Sequence, residues 1–450
     1  MTQTSQQIIS DAVAQAHDTR VVEVGRDILQ HSGQIITDAL GMDQPFQLIA
    51  DERTWAVAGQ QVQDQLSLVG ADVVLPLVYP ATPYLYASYD HCQEIRESLT
   101  AHDALGVAIG SGTLNDLVKL ASGELEQPYA VVGTAASMDG YTGFGAPMET
   151  DGVKITMPCP APTVVIFDLD VAATAPASMT ASGYGDLSAK IPAGADWILA
   201  DAAGVDPIDP EAWRLVQTGV RDALSQPQRL AAGSPDAYQG LVDGLVLSGL
   251  AMQVNGGTRP ASGAEHYFSH LWELAHLGAD LQPPLSHGAK VAIGTLAMLG
   301  FYERFMARDL GRLDIDAAVT AWPSWDEVVA DIERVSTGAL VQRGIEQTKE
   351  KYVDADGLRQ RLQRLVDSWP DTQRRLADQL IPAAELKDML TRAGAPSRPE
   401  DIGLTAADVK ATFPKAMYYR SRYTVLDVAR EAGWFDGLVD ETFAPGGLWG

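Results

Sequence analysis

The stretch SGAEHYFSHLWELAH, residues 262–276, sets His266, His270 and His276 four and then six positions apart on what reads as one helix, with Glu265 directly ahead. His266 and His270, at i and i+4, share a face, and His276 falls off it. Imidazoles in this arrangement can ligate a metal, pass a proton, bind a substrate or line a core. His287 follows in PPLSHGAKVAIGTL, behind two prolines and just ahead of an apolar helix. Asp186 stands in ASGYGDLSAKIPAGADW, behind Gly183 and Gly185 at an apparent helix start, where capping is the plain alternative. One carboxylate and several imidazoles on neighbouring helix ends would make a divalent site with open positions, provided the fold brings them together.

Two glycine-containing loops offer different chemistry. LGVAIGSGTLNDLVKLAS, residues 105–122, is an apolar run ending in Gly110-Ser111-Gly112 and leading into a helix from Thr113. Such a turn is either a tight strand–helix connection or an anion cradle, because glycine admits close approach and the helix start offers free N–H groups. It matches neither GxGxxG, since Asn115 stands three after Gly112, nor a P-loop, which needs GK[ST]. VVGTAASMDGYTGFGAP, residues 131–147, carries the hydroxyls of Thr134 and Ser137, then Asp139. Asp51 closes the run FQLIAD, where an acid either caps the next helix or accepts bonds from a ribose diol.

The elements that must position these residues change character along the chain. Up to about residue 175, apolar runs at 46–51, 71–78, 105–112, 129–136 and 163–169 alternate with helical patterns, which reads as an α/β layer with a mostly parallel sheet. From about 176 onward long amphipathic patterns such as YQGLVDGLVLSGLAMQV and KVAIGTLAMLGFYERFM predict an all-α second half. Two domains, 1–175 and 176–450, are therefore expected, and 450 residues suffice for both.

Composition narrows the partners. Acidic residues outnumber basic ones 59 to 32, a formal charge of −27, which argues against nucleic acid and anionic membranes. A small anionic ligand stays compatible if local cations and N–H groups oppose the overall field. Cys92 and Cys159 are far apart without CxxC spacing, so neither a disulfide framework nor a thiolate zinc site is expected. No run approaches the roughly 18 apolar residues of a membrane span, and the start MTQTSQQIISDAVAQ lacks a signal-peptide pattern. A cytoplasmic protein without membrane insertion is the expectation.

GSGTLNDLVKLAS, GTAASMDGYTGFGAPM, SGYGDLSAK, TRPASGAEHYFSH and LSHGAKVAIGTL, in this order, resemble the sn-glycerol-1-phosphate dehydrogenases. These belong with the iron-containing alcohol dehydrogenases, glycerol dehydrogenases and dehydroquinate synthases. The resemblance implies a dehydroquinate synthase-like fold: an N-terminal nucleotide-binding α/β domain and an all-α C-terminal domain, with the active site in the interdomain cleft. It implies Asp186, His266 and His287 as metal ligands. Asp51, Gly112, Thr113, Leu114, Asn115, Asp116, Thr134, Ala135, Ala136 and Ser137 would contact NAD(P)H, and Asp139, Asp186 and His270 the substrate. Gly143 departs from a frequent family serine four residues after the substrate aspartate.

The implied reaction is interconversion of dihydroxyacetone phosphate and sn-glycerol 1-phosphate, a glycerophospholipid precursor. It needs one divalent ion, zinc by default with nickel or iron(II) also suited, and NADH or NADPH. Asp139 and His270 are the expected catalytic side chains, and Arg259 the expected phosphate grip, with Lys290 as a weaker choice. A homo-oligomer, in the simplest case a dimer, is expected. A glycerol or polyol dehydrogenase would share metal and cofactor without a phosphate grip. A dehydroquinate-synthase-like cyclase would call for richer lysine and arginine clusters. A non-enzymatic binding module would not need an aspartate and histidines in three separate motifs.

Overall fold

The computed structural model describes residues 5–150 and 153–449. Eight strands are β1 (Val21–Gly25), β2 (Phe46–Asp51), β3 (Leu77–Tyr79), β4 (Leu105–Gly110), β5 (Ala130–Gly133), β6 (Ala146–Thr150), β7 (Val153–Met157) and β8 (Val164–Asp168). Six form one sheet in the order β1-β8-β5-β4-β2-β3, every neighbouring pair parallel. The antiparallel hairpin β6–β7 stands apart from it.

The apolar runs are continuous because the sheet is covered on both faces. Alternate side chains divide between two clusters: Ile49, Ala108, Val131 and Val165 face one, and Leu48, Ala50, Val107, Ile109, Val132 and Ile166 the other. The first cluster continues without a break into Ala181, Tyr184, Leu187, Leu241, Leu245 and Leu250 of the helical half. A third, rich in aromatic residues, lies wholly within that half, from Ala195 to Val439.

Described residues after 176 contain no strand. The helices that bear on the site are α1 (Gly112–Glu124), α2 (Ala177–Ser188), α3 (Lys190–Ala202), α4 (Pro235–Asn255), α5 (Glu265–Leu274), α6 (His287–Met306), α7 (Ala339–Lys351), α8 (Ala406–Met417) and α9 (Val425–Glu431). No helix among the described residues is long and apolar enough to cross a membrane.

Three local expectations change. The run 71–78 contributes only Leu77–Tyr79 as strand, with an isolated bridge from Val73 to Phe46, because Pro76 has no N–H to donate to a ladder. The helix carrying the histidines ends at Leu274. His276 lies beyond it in an exposed turn at φ 55°, so only two of the three imidazoles share the helix. Asp186 is the tenth of twelve residues in α2 and caps nothing at its start.

Candidate metal and cofactor site

Close helix packing converges the polar residues. A Cβ on Gly183 would stand 2.0 Å from the Ala136 carbonyl oxygen, so this glycine lets α2 lie against the loop that follows β5. A Cβ on Gly288 would stand 1.9 Å from the Ser182 carbonyl oxygen, and one on Gly294 2.5 Å from that of Glu265. Glycines thus bring α6 against both α2 and α5, and with them His287, Asp186 and His266.

The result is a cluster in which Asp186, His266 and His287 each offer a ligand atom within 4.8 Å of the others. His266 directs Nε2 to Asp186 Oδ1 at 3.6 Å, while its Nδ1 bonds Glu265 Oε1 at 2.9 Å. His287 bonds Glu273 Oε1 through Nδ1 at 2.7 Å, which leaves its Nε2 for the cluster. Outer carboxylates of this kind fix ring orientation and tautomer. An N₂O donor set without thiolate suits a borderline divalent cation.

Lys190 is buried between two acids, 3.1 Å from Asp186 Oδ1 and 2.7 Å from Asp139 Oδ2. Ser248 on α4 donates to the same Asp139 oxygen at 2.8 Å, and the Asp139 amide donates to Asp186 Oδ2 at 2.9 Å. Asp139 is therefore held beside the metal-ligand cluster with Oδ2 engaged. Burial opposes the charge on Asp186, but Lys190 and the two imidazoles overcome it and hold the carboxyl well below its usual range. Burial likewise opposes protonation of Lys190, and Asp139 and Asp186 raise it above an ordinary lysine. Both charges persist because each is paired.

His270 sits one turn beyond His266, its ring 6.0 Å from that of His266 and 5.7 Å from that of His287. Burial, aided by Arg420 and His287 and opposed by Glu273, pushes it down to about 3, so the ring is neutral. Its Nδ1 lies 3.5 Å from Glu273 Oε2, which leaves Nε2 as an acceptor.

The other expected residues line the ends of the strands. In this sheet β2 is followed outward by β3, and the chain then returns to β4 on its other side, so β2 and β4 flank a topological switch point. Asp51 lies at one side of it. Its Oδ1 caps the helical turn Glu52–Thr54 by accepting from the Arg53 and Thr54 amides, and no bond to Oδ2 occurs among the described residues. The contacts of Asp51 among the described residues are those of the capping reading. Gly112, Thr113 and Leu114 open α1 with no side-chain cap from Ser111, so their N–H groups are open to an anion.

Asn115 and Asp116 have inward duties. Asn115 donates to the Gly140 carbonyl at 3.3 Å and accepts from Tyr129 at 3.0 Å. Asp116 pairs with Lys119, whose Nζ also donates to the carbonyls of Gly140 and Gly145. They brace the loop carrying Asp139. Thr134 and Ala136 are buried directly after β5, the Thr134 amide bonding the Gly110 carbonyl. Ala135 accepts from Tyr141 at 2.6 Å, and Ser137 gives its carbonyl to Ser182 at 2.9 Å.

Arg259 has inward partners of its own. It is 5% exposed, its Nη2 donates to the carbonyls of Asp196 and Tyr423, and its Nε lies 3.3 Å from Asp206, so it ties α3 to the C-terminal segment. Lys290 turns back onto the Leu285 carbonyl at 3.1 Å. Glu265, Glu273, Lys190 and Ser248 carry no assigned role in the sequence reading. Two signals point to them in retrospect: the i, i+4 pair Asp186–Lys190 and the position of Glu273 three residues after His270.

Known proteins resemble this chain in sequence and in fold. The family described as iron-containing alcohol dehydrogenase matches residues 23–176. A glycerol-1-phosphate dehydrogenase [NAD(P)+] from Halalkalibacterium halodurans is 34% identical over 257 residues, 57% of this chain and 64% of that one. The Bacillus subtilis protein of the same name is 30% identical over 333 residues, 71% and 84% of the two chains. The Geobacillus thermodenitrificans protein is 28% identical over 87% of each. Among solved structures, a probable glycerol dehydrogenase from Sinorhizobium meliloti superposes with a TM-score of 0.59 at 14% identity, covering 95% of this chain and 98% of that one. An iron-containing alcohol dehydrogenase from Corynebacterium glutamicum gives 0.59 at 15% identity over 94% and 95%. Fold and sequence agree: this chain belongs to the glycerol-1-phosphate dehydrogenase [NAD(P)+] family, among the iron-containing alcohol dehydrogenases.

Proposed function

We propose that this protein reduces dihydroxyacetone phosphate to sn-glycerol 1-phosphate, and runs the reverse reaction, with NADH or NADPH and one divalent ion. The observation that carries it is the meeting of Asp186, His266 and His287 with Asp139, through Lys190, beside the strand-end loops. Residues before 175 and after 176 both contribute, which supports a nucleotide-binding unit and a metal- and substrate-binding unit with the reaction in the cleft between them.

Asp186, His266 and His287 would hold the ion, zinc by default with nickel and iron(II) suiting the same donors, and its Lewis acidity stabilises developing alkoxide charge. The nicotinamide, when bound, supplies the hydride. Asp51 Oδ2 would accept from the ribose, and the amides of Gly112, Thr113 and Leu114 would meet the pyrophosphate. Thr134 to Ser137 line the nicotinamide side of the same strand ends. Asp139, anchored through Oδ2 by Lys190 and Ser248, presents Oδ1 to a substrate hydroxyl. His270 accepts a second substrate hydroxyl at Nε2, and Glu273 fixes its ring.

A homodimer in the cytoplasm completes the proposal; light scattering of the purified protein checks the first. The decisive assay supplies single divalent ions to metal-stripped protein and follows NADH and NADPH oxidation with dihydroxyacetone phosphate and with dihydroxyacetone. Metal-dependent turnover of the phosphorylated ketone, with sn-glycerol 1-phosphate as the product enantiomer, is expected. Turnover of the unphosphorylated ketone alone would instead identify a polyol dehydrogenase.

A further inference from the structure

The segment YYRSRY, residues 418–423, joins α8 to α9 and reaches the imidazole cluster from the C-terminal part of the chain. The Tyr419 ring stacks on His270, with centroids 6.0 Å apart and planes inclined by 23°. Arg343 on α7 lies 4.6 Å from the centre of the Tyr419 ring and directs Nε to the Tyr419 carbonyl. Arg420 holds its guanidinium carbon 5.8 Å from the same ring centre. Its Nε is buried without a hydrogen-bond partner, and Arg420 forms no ion pair among the described residues. Arg422 gives Nη1 to the carbonyl and hydroxyl of Ser262 and Nη2 to the Thr258 hydroxyl, and it too lacks a carboxylate.

This pattern runs against the composition. With 59 acidic residues to 32 basic ones, carboxylates are abundant. Other arginines of the helical half take them, as Arg361 does with Glu431, Arg308 with Glu441 and Arg375 with Asp201. Around Tyr419, three guanidinium groups have no ion pair among the described residues. Arg422 bears a cost of its own: burial, joined by Arg259 and Arg420 and opposed by Tyr267 and Glu265, pushes it down to about 10. An anion arriving from solvent removes that cost and satisfies the buried donor.

Position supplies the second constraint. Tyr419, whose ring centre lies 5.8 Å from the Arg420 guanidinium carbon, stacks on His270, and the His270 ring neighbours those of His266 and His287. Arg420 thus stands one ring beyond His270 from Asp186, His266 and His287. Resting on the function proposed above, we infer that Arg420 receives the phosphate of the substrate, with Arg343 holding Tyr419 in place and Arg422 adding positive charge beside it. The Nε edge of a guanidinium grips phosphate through two parallel hydrogen bonds, and Nε is the unpartnered atom of Arg420. Arg259 also has Nε and Nη1 without hydrogen-bond partners, but it is paired with Asp206 and spends Nη2 on two carbonyls.

The test compares Arg420→Gln and Arg420→Lys with wild type in the metal-loaded enzyme. The ratio of kcat/KM for dihydroxyacetone phosphate to that for dihydroxyacetone is expected to fall roughly 10- to 100-fold in Arg420→Gln, the range for a lost charge-assisted hydrogen bond. Arg420→Lys, which keeps the charge and loses the fork, is expected to fall less. If Arg420→Gln melts early, the lysine variant carries the comparison. Calorimetric titration with inorganic phosphate reads the same site without turnover and should show weakened binding in Arg420→Gln. A ratio that stays within about twofold of wild type in both variants overturns the assignment. If wild type accepts only the unphosphorylated ketone, the functional proposal falls by itself. The titration then decides for Arg420: phosphate binding that Arg420→Gln fails to weaken overturns the anion site.

Discussion

Each imidazole of the cluster answers to a carboxylate that holds its far nitrogen. Glu265 Oε1 accepts from both the Gly263 amide and His266, and Glu273 holds His287 while standing beside His270. Losing such a support typically weakens metal binding by roughly 10- to 100-fold without removing a ligand. Glu273→Gln is expected to lower metal affinity by that order, read from metal content after dialysis against graded chelator, with the melting of the metal-free protein little changed. An affinity equal to wild type would mean that Glu273 does not position His287. The types of these residues were readable from the sequence, and so was the nearness of Glu265 to His266. Which nitrogen faced which carboxylate was not, because ring orientation is set by neighbours from other helices.

At the scale of elements, the glycines of SGYGD and LSHG decide how near the helices can come. A Cβ on Gly288 would overlap the Ser182 carbonyl, so Gly288→Ala must push α6 off α2 and carry His287 away from Asp186. Overpacking of this kind costs about 1–3 kcal/mol, so the variant should melt lower and bind metal more weakly. Gly300, three turns along α6, would place a Cβ at 3.4 Å from its nearest neighbour. Gly300→Ala should therefore be neutral or gain up to about 1 kcal/mol of helix propensity. Equal behaviour of the two variants in thermal melts would sink the close-packing explanation. The long apolar runs of β2, β4, β5 and β8 identify themselves, since strands covered on both faces have no polar phase. VVEVG of β1 is short and interrupted by Glu23, and the β6–β7 hairpin contains Pro147, so neither carries a strand pattern strong enough to read.

For the whole molecule, Asp186, His266 and His287 lie on three helices: α2 packs into the cluster that covers the sheet, α5 into the aromatic cluster beyond, and α6 into both. A metal there ties these cores together and should stabilise the folded state by mass action, about 2.7 kcal/mol at a free concentration of 100 Kd. Chelation is therefore expected to lower the melting temperature and readdition to restore it, in proportion to the logarithm of metal concentration. A melting temperature indifferent to metal, in wild type and Asp186→Ala alike, would remove the metal from the account. The change from α/β to all-α texture near 175 is plain in the sequence. That one apolar cluster runs across the change is visible only once the strands and the helices after 177 are packed.

Legible in the residues alone were the central strands of a parallel sheet, the helical second half, the glycine-bearing strand ends and the set of side chains able to bind metal. These depend on periodicity and residue chemistry, which act over a few neighbouring positions. Packing alone settles that Lys190 bridges Asp139 and Asp186, that Arg259 turns to the interior, and that Arg420 stands beside Tyr419 with no ion pair among the described residues. Those outcomes depend on helices distant in sequence meeting side by side, where burial sets the cost of every unpaired charge and so selects its partner.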